Sequence, residues 1–195
     1  MTALIETAEA LVFDCDGTLV ESGKLYARAW AAGFSSVGHE MSLAWYRRRA
    51  GLSERELIRA FEEGTGTRIG DPEAVVGTVR QSYVAGLAHL SEVAEVADIA
   101  RRFHRKMRLA VASGGPRLLV EASLVQLGLA QLFDVVVTRE DAVNPKPAPD
   151  IFFEAIRRLG LPAARCVAFE DSPEGLEAAA AAGLSVIDVA RLRKG

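Results

Sequence analysis

Two carboxylates, Asp14 and Asp16, follow the apolar run Ala10-Leu11-Val12-Phe13 and precede Gly17 and Thr18. One carboxylate of such a pair can attack an electrophile while the other moves a proton. The spacing demands a sharp change of direction, because residues two apart in a regular strand share a face, each at its own level, and cannot both meet one reacting atom without a bend. Gly17 permits that bend. Read alone, Asp14-Cys15-Asp16-Gly17 could also be a polar strand end before a turn. A calcium loop is excluded by the count from Asp14. The fifth, sixth and twelfth positions, where that loop needs an oxygen ligand, glycine and glutamate, are Thr18, Leu19 and Leu25.

Three further segments carry compatible chemistry. Lys146 lies in Asn144-Pro145-Lys146-Pro147-Ala148-Pro149-Asp150, where three prolines stiffen the backbone around one ammonium suited to phosphate. Ser113-Gly114-Gly115-Pro116 closes an apolar run and opens a helical pattern, so the Ser113 hydroxyl and nearby amides can cradle an anion. An ordinary helix cap is the alternative there, and Arg117 either adds charge to the cradle or sits in solvent. Glu170-Asp171-Ser172 ends another apolar run. The two acids either cap the following helix or face Asp14 to complete an oxygen-only site of the kind Mg²⁺ prefers.

These segments need a scaffold that gathers strand ends. Apolar runs recur around Leu11–Phe13, Leu109–Ala112, Val135–Val137, Cys166–Phe169 and Ser185–Val189. Helical patterns separate them from the second onward: Arg117–Leu127 stopping at Gly128, Pro149–Leu159 at Gly160, and Pro173–Ala182 at Gly183. Strands alternating with helices predict right-handed crossovers and a parallel sheet covered on both faces. The expected fold class is therefore α/β, a doubly wound, Rossmann-like core. Open sheets of this kind bind ligands at the carboxyl ends of their strands.

The interval between the first two strands is too long for one crossover and reads as helical. A helix beginning at Leu25 is expected to stop at Gly33. Ser53–Phe61 follows with a capping box from Ser53 to Glu56, then Asp71–Leu87 with Asp71 as cap and Pro72 in the first turn. Residues 20–88 are read as an inserted α-helical cap. Residues 1–19 and 89–195 form the α/β core, with Ser91–His104 returning to it.

Half of the residues are apolar and the formal net charge is −3, which gives no general attraction for nucleic acid or anionic membranes. No window approaches the ~18 uninterrupted apolar residues of a membrane span, and no basic-then-apolar leader is visible at the N-terminus. Cys15 and Cys166 lie in apolar runs without metal-ligand spacing, as expected of buried, reduced thiols in a soluble cytoplasmic protein. Arg101–Lys106 reads as a solvated basic helix end. The oligomeric state is left open.

In their order and spacing the four segments resemble the motifs of the haloacid dehalogenase superfamily. These are Asp14-Cys15-Asp16-Gly17-Thr18, Ser113, Lys146 with Pro147-Ala148-Pro149-Asp150, and Glu170-Asp171-Ser172, and the resemblance spans nearly the whole chain. The helical insert, Phe169-Glu170-Asp171-Ser172 and Ala181-Ala182-Gly183 resemble the β-phosphoglucomutase-like branch. The early C-terminal stop resembles short sugar phosphatases of the fructose-1-phosphatase type. Dehalogenases of the superfamily lack the second aspartate, whereas Asp16 is present here, so the resemblance implies phosphoryl transfer.

By that resemblance Asp14 is the nucleophile and Asp16 the proton carrier. Asp14, the Asp16 carbonyl, Asp171 and Glu170 hold Mg²⁺. Ser113, Gly114 and Lys146 bind phosphate, with the amides of Cys15 and Asp16 assisting. In the helical insert, Tyr26 stands where mutase-like relatives commonly carry histidine, and Lys24 where they carry an acid. Gly51-Leu52-Ser53-Glu54-Arg55 resembles a substrate-facing loop with Arg55 displaced by one. Tyr26, Arg55 and Arg117 are therefore the candidate substrate contacts. The expected activity is a Mg²⁺-dependent phosphatase of a small phosphorylated metabolite, a sugar phosphate above all. A phosphosugar mutase and a non-catalytic phosphometabolite-binding module are the alternatives.

Overall fold

The computed structural model describes residues 2–193. Five parallel strands, β1 (Ala10–Phe13), β2 (Arg108–Ala112), β3 (Val135–Val137), β4 (Cys166–Glu170) and β5 (Ser185–Asp188), form one sheet in the order β3-β2-β1-β4-β5. The strand at the centre is the one whose end carries Asp14. Its register sets Phe13 opposite Val111 of β2 and opposite Phe169 of β4. From β1 the chain winds first to β2 and β3, then crosses back to β4 and β5. The winding therefore reverses between β1 and β4, where such sheets open a crevice at their carboxyl ends.

The helices are α1 (Thr2–Glu6), α2 (Gly23–Ser35), α3 (Leu43–Arg47), α4 (Glu54–Thr65), α5 (Pro72–Ala85), α6 (Ala94–Phe103), α7 (Arg117–Gln126), α8 (Asp150–Leu159), α9 (Pro173–Ala181) and α10 (Val189–Leu192). Small residues on one sheet face, Ala10, Ala110, Ala112 and Ala168, share a buried cluster with Ile151, Phe152 and Ala155 of α8 and Ala178 and Ala179 of α9. Alternation turns Phe13 and Phe169 to the other face, where their rings stack at 4.7 Å and Phe133 meets Phe13 edge-on at 5.8 Å. The right-handed crossover rule assigns α6 and α7 to that face. The helix stops at Gly128, Gly160 and Gly183 all have left-handed backbones, with φ between 65° and 83°. Among the described residues no helix is long and apolar enough to cross a membrane.

The chain divides into two compact units, one being Ser22–Leu90 and the other built from the segments on either side of it. Within Ser22–Leu90 the capping box of α4 is formed, with Ser53 N donating to Glu56 at 2.9 Å and Glu56 N to Ser53 Oγ at 3.3 Å. Asp71 caps α5 by accepting from Ala74 N at 3.0 Å, with Pro72 in its first turn.

Gly33 corrects the expected helix end. It lies inside α2, which runs on to Ser35, and its role is close approach. A Cβ there would stand 2.5 Å from Val79 Cγ2 and 3.0 Å from the Val75 carbonyl oxygen of α5. The missing side chain lets α2 and α5 pack backbone against side chain, a contact that outweighs the helix cost of glycine, about 1 kcal/mol. Gly33→Ala should therefore lower unfolding stability by roughly 1–3 kcal/mol in urea titration. The loss should shrink when the same change is made in a Val79→Ala background. An equal loss in both backgrounds would acquit the Val79 contact.

Candidate active site

The ladder carries Asp14 one residue past β1, where its N–H donates to the Phe169 carbonyl at 2.9 Å. The chain then turns tightly. Leu19 and Val20 both donate to the Cys15 carbonyl at 2.9 Å, and Gly17 N donates to the Val20 carbonyl at 2.8 Å. Gly17 sits at φ +91°, and a Cβ on it would lie 2.4 Å from Asp171 Oδ2. Glycine is thus required twice, by backbone angle and by the carboxylate pressed against it.

Lys146 ties three strand ends together. Its Nζ donates to Asp14 Oδ1 at 2.8 Å, to Glu170 Oε1 at 2.7 Å and to the Ala112 carbonyl at 3.2 Å. The side chains of Lys146, Asp14 and Glu170 are only 11%, 8% and 1% exposed, so these are buried ion pairs. The loop carrying Lys146 is braced at Asn144, whose backbone and side-chain amides both donate to Asp150 Oδ1 at 3.0 Å, and its Lys146–Pro147 peptide bond is cis.

Glu170 is held from its other side by Ser172, whose N–H and hydroxyl donate to Oε2 at 2.9 and 3.0 Å. The Ser172 hydroxyl in turn accepts from Gly175 N at 3.1 Å. The cap of α9 is therefore Ser172, not the acid pair, which frees Glu170 and Asp171 to face Asp14. Asp171 accepts from the buried Thr18 hydroxyl at 3.0 Å. One oxygen from each of Asp14, Glu170 and Asp171 lies within 4.8 Å of the others.

Three carboxylates face one ammonium, and for two of them, Asp14 and Asp171, burial and the neighbouring carboxylates favour the protonated form. Burial pushes Asp14 well above the usual carboxylate range, and the charges of Glu170 and Asp171 push the same way against Lys146. Burial, then Glu170, likewise raises Asp171, while the Thr18 hydrogen bond opposes. For Lys146, burial pulls downward, but Asp14 and Glu170 outweigh it and the net shift is upward. A hard, all-oxygen donor set with uncompensated negative charge fits a divalent cation.

The remaining candidates sort clearly. Asp16 is half-buried, and Gly115 lies close enough that a Cβ there would stand 3.0 Å from Asp16 Oδ2. Ser113 is fully buried, its hydroxyl accepting from Gly115 N at 3.1 Å, and Gly114 beside it is exposed. Ser113 is not the helix cap, since Pro116 holds that position of α7. The Arg117 guanidinium is bound to Glu121 at 3.0 Å and to Asp141, so its charge is spent on neighbouring acids rather than on the carboxylate cluster. Tyr26 and Arg55 belong to Ser22–Leu90. There Tyr26 packs on Tyr83 with centroids 4.5 Å apart, and Arg55 is exposed in the first turn of α4.

Sequence reasoning gave no role to Thr18, Gly175 or Phe152. Gly175 carried a signal, being a glycine in the first turn of a helix, where it weakens the helix unless something approaches closely. The Lys146–Phe152 contact, at 5.0 Å from Nζ to the ring centroid, left no local trace.

Residues 8–183 match the family model of haloacid dehalogenase-like hydrolases, and the chain belongs to that family. It is 29% identical over 186 residues to a fructose-1-phosphate phosphatase of Escherichia coli, covering 95% of this chain and 98% of that protein. A phosphorylated carbohydrates phosphatase of Thermotoga maritima is 30% identical over 188 residues, covering 92% and 83% of the two chains. Among solved structures, CbbY from Rhodobacter sphaeroides in complex with xylulose-1,5-bisphosphate superposes with a TM-score of 0.83 at 31% identity, covering 93% and 85%.

Gly175→Ala tests how strictly the cluster is built. Its Cβ would fall 1.9 Å from Glu170 Oε1 and 2.4 Å from Oε2, so Glu170 must move and release Lys146. A stability loss of roughly 1–3 kcal/mol is expected by denaturant titration. Gly77→Ala, with nothing within 4 Å inside α5, should cost nothing or stabilise by up to about 1 kcal/mol. Equal behaviour of the two variants would contradict the close packing of Glu170.

Proposed function

We propose that the chain is a Mg²⁺-dependent phosphatase of small phosphorylated metabolites, sugar phosphates first among them, working through an aspartyl-phosphate intermediate. The observation that carries this reading is the Lys146 ammonium held between Asp14 and Glu170, with Asp171 beside them. In this reading Asp14 is the nucleophile, Lys146 the phosphate-binding cation, and the three neighbouring acids an oxygen-only metal site. The sugar-phosphate preference is supported by the names of the relatives and by the bisphosphate held by CbbY.

Asp14 attacks phosphorus in line, forming the Asp14–phosphorus bond as the ester P–O bond breaks. Asp16 gives its proton to the leaving alcohol. It then takes a proton from a water molecule that attacks the same phosphorus, and the Asp14–phosphorus bond breaks to release phosphate and restore both carboxyl groups. Lys146 exchanges Asp14 for a phosphoryl oxygen, which frees the nucleophile's lone pair and keeps positive charge on the transferring group. Ser113, with the amides of Cys15, Asp16 and Gly114, donates to the remaining oxygens. Asp14, Asp171, the Asp16 carbonyl and Glu170 would hold the metal, which supplies charge neutralisation when bound.

Tyr26, in place of the histidine of mutase-like relatives, favours water over a sugar hydroxyl as the acceptor. Arg55 is retained as a substrate contact in this reading. Arg117 is a weaker one, given its ion pairs. A cytoplasmic setting is supported by the two free, buried cysteines.

Asp14→Asn should fold normally and lose phosphate release by ~10³-fold or more, whereas Asp16→Ala should lose ~10²–10⁴-fold. Chelation should abolish turnover and added Mg²⁺ restore it. Near-wild-type release by folded Asp14→Asn would overturn the mechanism.

Hydrolysis and mutase chemistry are separated by incubating fructose 1-phosphate and β-glucose 1-phosphate with and without glucose 1,6-bisphosphate. Primer-independent phosphate release is expected. Rapid primer-dependent formation of glucose 6-phosphate with little free phosphate would favour the mutase.

A further inference from the structure

Lys146 has a partner that is not an acid. Phe152, in the first turn of α8, is fully buried, and its ring centroid lies 5.0 Å from Lys146 Nζ, within the range of cation–π attraction. Its backbone N–H donates to the Pro149 carbonyl at 3.0 Å, so the ring and the proline-braced loop carrying Lys146 share one rigid segment. The ring also belongs to the buried cluster that joins α8 to the sheet, which fixes its position independently of the ion pairs.

We infer that Phe152 is a positioning residue for phosphoryl transfer, holding the Lys146 ammonium over the crevice through its ring face while the ammonium changes partners. The inference rests on the phosphatase reading for its catalytic consequence. All three Lys146 donors are spent on Asp14, Glu170 and the Ala112 carbonyl. Of these, the Asp14 contact must be given up for Asp14 to attack phosphorus. At that step the ammonium keeps Glu170 and Ala112, and the ring restrains it against following Asp14 or drifting to solvent. The restraint is non-ionic and cannot be displaced by the substrate's phosphate, because a phosphate has no attraction for the π face. In a water-poor site the quadrupole attraction acts with little screening.

A bland packing role and a cation–π role make different forecasts when ring volume is kept and ring electrostatics changed. Phe152 should be replaced by phenylalanines carrying one, two and three ring fluorines, with Phe152→Leu as the ring-free variant. With metal-loaded full-length protein and a sugar phosphate as substrate, kcat should fall stepwise with fluorination, by about 2- to 30-fold across the series, with KM and Tm nearly constant. A flat kcat across the fluorinated series with retained Tm would overturn the inference.

A second readout does not depend on turnover. The ε-methylene protons of Lys146 should be shielded by the ring current in the wild type and move downfield in Phe152→Leu. Unmoved resonances would overturn the contact itself. A wild type that hydrolyses no phosphate ester would defeat the phosphatase reading, and the ring-current comparison would still decide the contact.

Discussion

An ammonium buried between two carboxylates is the constraint around which this molecule is built. Removing one such charge from water costs several kcal/mol even after relaxation, and a pair recovers that cost only with close geometry and full hydrogen bonding. Lys146 meets both conditions, with all three protons directed at Asp14, Glu170 and the Ala112 carbonyl. Breaking the link to Asp14 or to Glu170 leaves that buried carboxylate without its ammonium. Glu170 is in turn unable to swing away, because Ser172 grips its second oxygen and Gly175 leaves it room at the start of α9.

Sheet topology brings the partners together cheaply. Asp14 and Glu170 leave adjacent strands at the same level, since Phe13 and Phe169 are in register and Asp14 N continues the ladder to the Phe169 carbonyl. The stacked Phe13 and Phe169 rings beneath them hold the two strand ends against slippage, since a one-residue shift would turn those rings to the wrong face. Ala112, whose carbonyl takes the third proton of Lys146, ends β2 on the other side of β1. The winding reverses between β1 and β4, the point at which open sheets of this kind bind ligands beyond their strand ends.

The periodic features were legible in the sequence because they are local. Each strand is a short apolar run, and Gly128, Gly160 and Gly183 stop helices by a backbone angle that glycine alone adopts readily. The Ser53–Glu56 capping box and the Asp71-Pro72 start needed only a few consecutive residues. Gly33 was misread because a glycine says only that a side chain is absent. Whether that serves a left-handed turn or a close approach depends on Val75 and Val79, far along the chain. Arg117 was ambiguous for the same reason. Its position after Ser113-Gly114-Gly115-Pro116 suggested an anion, whereas Asp141 and Glu121, one of them distant in sequence, take its charge.

The candidate site shows where motif reading stops. Residue types at four strand ends define the chemistry available, but not which acid touches what. Glu170 and Asp171 are neighbours in sequence with different surroundings. Glu170 is enclosed by Lys146 and Ser172, while Asp171 lies against Gly17 and accepts from Thr18. The two glycines that make this possible, Gly17 and Gly175, each lack a Cβ that would occupy the space of a carboxylate. The acids and glycines therefore act as one packed unit, in which a missing methyl group locates a charge as firmly as a hydrogen bond does. Burial first, and then the crowding of like charges, raises the proton affinity of Asp14 and Asp171. A hard, all-oxygen cluster of this kind is suited to a divalent cation, because positive charge entering it would offset the crowding of the carboxylates.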